Sequence, residues 1–159
     1  MPTPTYTPLA NVTLASTTSS VTFGSIPATY RDLILVFEGT VSTTTNVLTS
    51  LNGDTSTVYT RVQMTGSGSS ASSSSGTHEG LYTVYGQSGE RVFAQLQIFD
   101  YSATDKHKTA LSRGHTSGAE VAARALRWPS TAAVVSLAAS STSGTFNTGC
   151  TFSLYGVIA

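Results

Sequence analysis

The side chains able to do chemistry are few and scattered. His78, His107 and His115 are the three histidines, and a chain this rich in serine places Ser, His and Asp trios by composition alone. No serine occupies the G-x-S-x-G turn that exposes a nucleophile, and Gly66-Ser67-Gly68-Ser69 belongs to a low-complexity run. His78-Glu79 lacks a second histidine one helical turn on, and Asp100 and Asp105 lack the dense carboxylates of a calcium loop. No spacing of carboxylates favours a glycosidase pair. The expectation is therefore no enzyme, no metal and no cofactor.

Two features remain that could mediate contact. One is the charged stretch Asp100-Tyr101-Ser102-Ala103-Thr104-Asp105-Lys106-His107-Lys108, followed by Arg113 and His115, in a chain only 10% charged. It reads as a turn between strands, and it is either a solvated hairpin with ion pairs worth under about 1 kcal/mol each or a contact patch for a partner. The other is Leu33-Ile34-Leu35-Val36-Phe37, apolar at consecutive positions. A strand of that kind needs cover on both faces, from its own chain or from another subunit, which makes Leu33, Leu35 and Phe37 candidate subunit contacts.

Composition narrows the possible partners. Eight basic and eight acidic residues give a net charge of zero, which argues against capture of nucleic acid or of an anionic membrane. No apolar run approaches the length of a membrane span, and the amino terminus lacks the pattern of a secretory signal. Serine and threonine make up roughly a third of the chain. So neutral a surface favours self-association. Cys150 is the one cysteine; it has no partner for a bridge and reads as a small buried hydrophobe.

The elements that must carry these residues are strands. β-branched and aromatic residues alternate with polar ones, punctuated by Gly, Pro, Asn and Ser, and helical periodicity is nearly absent. The pattern predicts an all-β, two-sheet antiparallel jelly-roll-like sandwich of about eight to ten strands in one domain, 9–159, behind an extended arm, 1–8, rich in proline. Strands are expected at 9–14, 20–25, 32–41, 46–51, 57–64, 79–85, 91–99, 109–113, 132–138 and 150–157. Glu120 to Trp128 can be read at either period, and strand is preferred because Trp128-Pro129 ends it. Val21, Phe23, Val92, Leu96, Ile98, Phe152 and Leu154 are the expected core, and Ile158 is expected to continue the last row. Asn52-Gly53-Asp54 reads as a hairpin turn, and Gly66 to Thr77 as an exposed mobile loop.

Several stretches carry a family resemblance: Ser20 to Leu35; Leu51-Asn52-Gly53-Asp54 with Tyr59 following; Phe99-Asp100-Tyr101-Ser102 with Lys106 to Thr109; Leu126-Arg127-Trp128; and Ser153-Leu154-Tyr155-Gly156-Val157. Together they resemble small virion proteins of tailed bacteriophages, common in aquatic and cyanobacterial phages. The resemblance implies a jelly-roll module on the outer surface of a particle assembled in the host cytoplasm. It also implies a homotrimer, with the phage major capsid protein as partner and no catalytic residues. With no shaft ahead of the module, a head-decoration or cement protein is expected over a tail-fibre tip. A fibre tip would instead bind a host surface glycan, with Tyr59, Tyr82, Tyr85 and Trp128 as stacking candidates, although ordinary sheet packing is the simpler reading of each.

Overall fold

The structure is a computed structural model that describes residues 5–158. Pro2 and Pro4 of the expected arm lie outside the described residues. Twelve strands run in chain order: β1 Tyr6–Thr13, β2 Ser20–Phe23, β3 Asp32–Thr40, β4 Thr45–Leu51, β5 Tyr59–Gly66, β6 Ala71–His78, β7 Leu81–Gly86, β8 Arg91–Phe99, β9 Lys108–Thr116, β10 Glu120–Trp128, β11 Leu137–Ser141 and β12 Thr151–Val157. They form an eight-stranded sheet in the order β1-β12-β3-β8-β9-β10-β5-β6 and a four-stranded sheet in the order β2-β11-β4-β7, antiparallel throughout. The chain passes repeatedly from one sheet to the other, as expected of a jelly-roll-like sandwich.

Alternation explains the core. In β8, Val92, Ala94, Leu96 and Ile98 point inward and are at most 1% exposed, while Arg91, Phe93, Gln95 and Gln97 face out. Val21 and Phe23 join the same core from the narrow sheet, and Phe152 stacks on Phe37 at 4.8 Å. All seven expected core residues are buried. Ile158 is not: β12 ends at Val157, and Ile158 is 36% exposed beyond it.

Leu33, Leu35 and Phe37 lie within this core, each at most 1% exposed, because β3 is a central strand under the narrow sheet. A second subunit cannot reach them. Ile34, on the opposite face, is covered within the chain: Tyr155 and Gln97 flank it across the sheet, and it is 5% exposed.

Four other expectations are corrected. The serine run contains β6, whose backbone pairs along all of β5, and only Ser67–Ser70 forms the connecting turn. Backbone hydrogen bonding holds β6 in place of side-chain burial, which is why composition alone suggested a loop. Asn52 and Gly53 do turn, with φ of 53° and 73°, but they lead from β4 to β5 in opposite sheets, so no hairpin forms. Residues 6–8, assigned to the arm, already belong to β1, and the strand expected at 132–138 begins only at Leu137.

The wide sheet has unlike edges. β1 carries Pro8 and a register irregularity between Pro8 and Ala10, whereas β6 contains neither proline nor a formal charge.

Candidate functional site: the outer face of the wide sheet

The charged stretch does not act as one patch. Tyr101 is fully buried; its hydroxyl donates to the Pro27 carbonyl, and burial pushes its pKa up. Lys108 is 1% exposed, and its Nζ donates to the carbonyls of Ala103 at 2.6 Å, Lys106 at 3.1 Å and Thr131 at 3.3 Å. Desolvation lowers its pKa, and the three carbonyl bonds make Lys108 an internal clamp on the turn. Asp100 and Lys106 form an exposed ion pair at 3.0 Å, and Asp105 and His107 are exposed beside it.

Arg113 and His115 sit elsewhere, on the outer face of β9. The registers there place three rows side by side: Gln97-Leu111-Ala125-Val62, Gln95-Arg113-Ala123-Met64 and Phe93-His115-Val121-Gly66. Val62 is 60% exposed, Met64 68%, Leu111 52%, Val121 56% and Phe93 42%. These five form an apolar field on the outer face of the wide sheet.

The field has relief as well as composition. On β10 the outward residues Ala123 and Ala125 are short, while Leu111 and Arg113 rise on one side and Val62 and Met64 on the other. The difference in side-chain length leaves a trough of about 520 Å³ with Gln95 and Gln97 along its rim. Leaving a large aliphatic side chain in water forgoes about 1.5–3 kcal/mol of burial, and contiguous patches of this kind mark contact surfaces.

The two arginines on this face hydrogen-bond within the chain. Arg113 donates to Gln95 Oε1 from Nε at 3.1 Å and from Nη2 at 2.7 Å. Arg127 donates to His107 Nδ1 from Nε at 3.2 Å, which places the imidazole proton on Nε2. His107 is thereby drawn to the edge of this face, and the rest of the turn is not.

Arg113 and His115, candidate contacts in the sequence, thus lie beside this field, whose apolar members were not among the candidates. The signal was present in the alternation of β10, where Val121, Ala123 and Ala125 fall opposite the buried Ala122 and Leu126. The stacking candidates Tyr59, Tyr82 and Trp128 are buried at 1%, 7% and 4% exposure, in agreement with ordinary packing. Among the described residues no cluster of His, Cys, Asp and Glu could hold a metal ion, and no helix is long and apolar enough to cross a membrane.

No protein-family model matches the chain, and no curated protein does. Among solved structures it is similar to the Caenorhabditis elegans galectin LEC-6, at 13% identity over 94% of this chain and 96% of that one, with a TM-score of 0.37. It is also similar to alginate lyase Aly36B, at 9% identity over 92% and 77%, with a TM-score of 0.40. Likeness of this degree assigns neither activity nor ligand to the chain.

Proposed function

We propose that this protein is a non-catalytic structural component of a phage particle, a head-decoration or cement protein that assembles with copies of itself and seats on the major capsid protein. The observation that carries the assembly half is the exposed field of Val62, Met64, Leu111, Val121 and Phe93 on the wide sheet. Its occupant is a second copy of the chain, which offers the same apolar side chains in return, with the Arg113 and Arg127 guanidinium groups held aside by hydrogen bonds to Gln95 and His107. The virion half is supported by the sequence resemblance. The exposed turn with Asp105 and Lys106 is left for the shell, and several modest contacts tied together hold far more firmly than one.

Sedimentation of the purified protein, followed by binding to expanded shells that lack it, tests the reading. An oligomer, trimeric by expectation, that coats the shells in hundreds of copies agrees with it. Met64→Lys combined with Val62→Asp should release monomers that keep the β circular-dichroism spectrum, with a melting temperature that no longer depends on protein concentration. A wild-type monomer that ignores the shells overturns the proposal.

A further inference from the structure

Four buried side-chain polar atoms among the described residues lack a hydrogen-bond partner: Arg61 Nε, Thr65 Oγ1, His78 Nε2 and Arg124 Nη1. All four belong to β5, β6 and β10, on the inward side of the wide sheet's far end. The sheets differ in width, and this explains the location. β7 is the last strand of the narrow sheet, so the inward rows of β5 and β6 project past it, and Ser72 and Ser74 there are exposed.

Tyr82 of β7 caps the place where the projection begins. The Arg61 guanidinium lies 4.6 Å from its ring, the Arg124 guanidinium 4.7 Å and the His78 ring 4.9 Å. Arg124 is held from behind: Nη2 donates to Glu120 Oε1 at 2.6 Å and Nε to Gln63 Oε1 at 3.1 Å. Arg61 donates to the same Gln63 oxygen. Two guanidinium groups thus face a single carboxylate, and one positive charge is left uncompensated. Burial and the charge of Arg61 lower the pKa of His78, so the imidazole is neutral at pH 7.

The cluster also contains a gap. Gly76 has no side chain, and the point where its Cβ would stand is 3.4 Å from Arg61 Nη2 and 3.6 Å from the unpaired His78 Nε2. An unpaired buried donor is destabilising by about 1–3 kcal/mol, more when it is charged, and here four unpaired polar atoms share one end of the sheet. A single group bearing several negatively charged oxygens satisfies guanidinium, hydroxyl and imidazole N–H together.

We propose that the Arg61, Thr65, His78 and Arg124 cluster is an oxyanion-binding site, reached from the side of Ser72 and Ser74. Those exposed hydroxyls suit an anion carried on a saccharide, such as a uronic acid, and a free inorganic anion uses the same donors. The site lies on the opposite side of the sheet from the assembly field, so it stands or falls independently of the capsid reading.

Thermal melting of the full chain with glucuronate, glucose or inorganic phosphate tests the site, backed by calorimetric titration. Glucuronate at about ten times its Kd should raise the midpoint by roughly 3–6 °C, and glucose should leave it unchanged. Phosphate matching glucuronate supports a free-anion site, and phosphate without effect supports an acidic saccharide. Gly76→Val fills the gap while keeping every charge, and Arg61→Met removes one half-buried donor; each should abolish the rise. No response to either anion, an equal response to glucose, or a response that survives both variants overturns the proposal.

Discussion

The indole Nε1 of Trp128 donates to Asp54 Oδ2 at 2.7 Å, joining the end of β10 in the wide sheet to the turn that follows β4 in the narrow one. The same indole stacks on Tyr59 at 6.0 Å, and the Tyr59 hydroxyl donates to the Asp54 carbonyl at 3.0 Å. Three side chains from separate strands and a turn therefore close one end of the sandwich. Trp128 is also the single tryptophan, so its fluorescence reports on that closure.

Acid should open this end first. The hydrogen bonds from Ser56 and from Trp128 hold the Asp54 carboxyl below its ordinary pKa. A depressed carboxylate contributes stability that is complete above its unfolded pKa and disappears as the pH falls through the lower folded value. Melting followed by Trp128 emission should therefore lose midpoint below about pH 4. Asp54→Asn should start lower at pH 7 and show a shallower acid limb; an identical acid limb in the variant would remove Asp54 from the account.

Alkali acts on the partner ring. Burial raises the Tyr59 pKa to about 12. The fold keeps this phenol protonated, so its contribution is complete below the unfolded value near 10 and is lost as the pH rises toward 12. Wild type should lose up to about 3 kcal/mol across that window from this group. Tyr59→Phe should show less of this loss, measured by urea unfolding at stepped pH.

Close packing makes a third prediction. A Cβ placed on Gly156 would stand 2.4–2.6 Å from atoms of the Tyr30 ring. Gly156→Ala should destabilise by about 1–3 kcal/mol, the usual penalty for overpacking. Tyr30→Ala removes the obstacle, so the double variant should be less destabilised than the sum of the two singles. Simple additivity in the cycle would show that the penalty does not come from the Tyr30 ring.

Lys108 and Lys106 separate clamp from surface. Lys108→Ala strands the carbonyls of Ala103, Lys106 and Thr131 and should lower stability by about 2–4 kcal/mol. Lys106→Ala loses only an exposed pair with Asp100 and should leave the melting temperature nearly unchanged. Similar losses in both would mean that the turn is held by its charges.

These contrasts mark where sequence reading succeeds and where it stops. Strict alternation in β8 identified its inner row, because period two translates directly into facing. The same rule was available for Lys108, which shares a facing with Ala110 and Ser112, but its charge and its charged neighbours suggested surface. Leu33, Leu35 and Phe37 were visible as buried; that the cover came from the same chain depended on the sheet order, which one strand does not reveal. The serine strand was missed because its order comes from backbone pairing with β5. Arg61 and Arg124 meet only once β10 pairs with β5 and Tyr82 arrives from the other sheet, so no local pattern announces their cluster.

The unlike edges of the wide sheet limit how copies can add to one another. β6 presents a clean ladder of donors and acceptors, while β1 breaks its register beside a proline that has no N–H to give. Two β6 edges can zip together, and what then faces outward at either end is β1, which does not propagate. Growth through this sheet's edges therefore stops at a pair and does not run on into fibrils by that route.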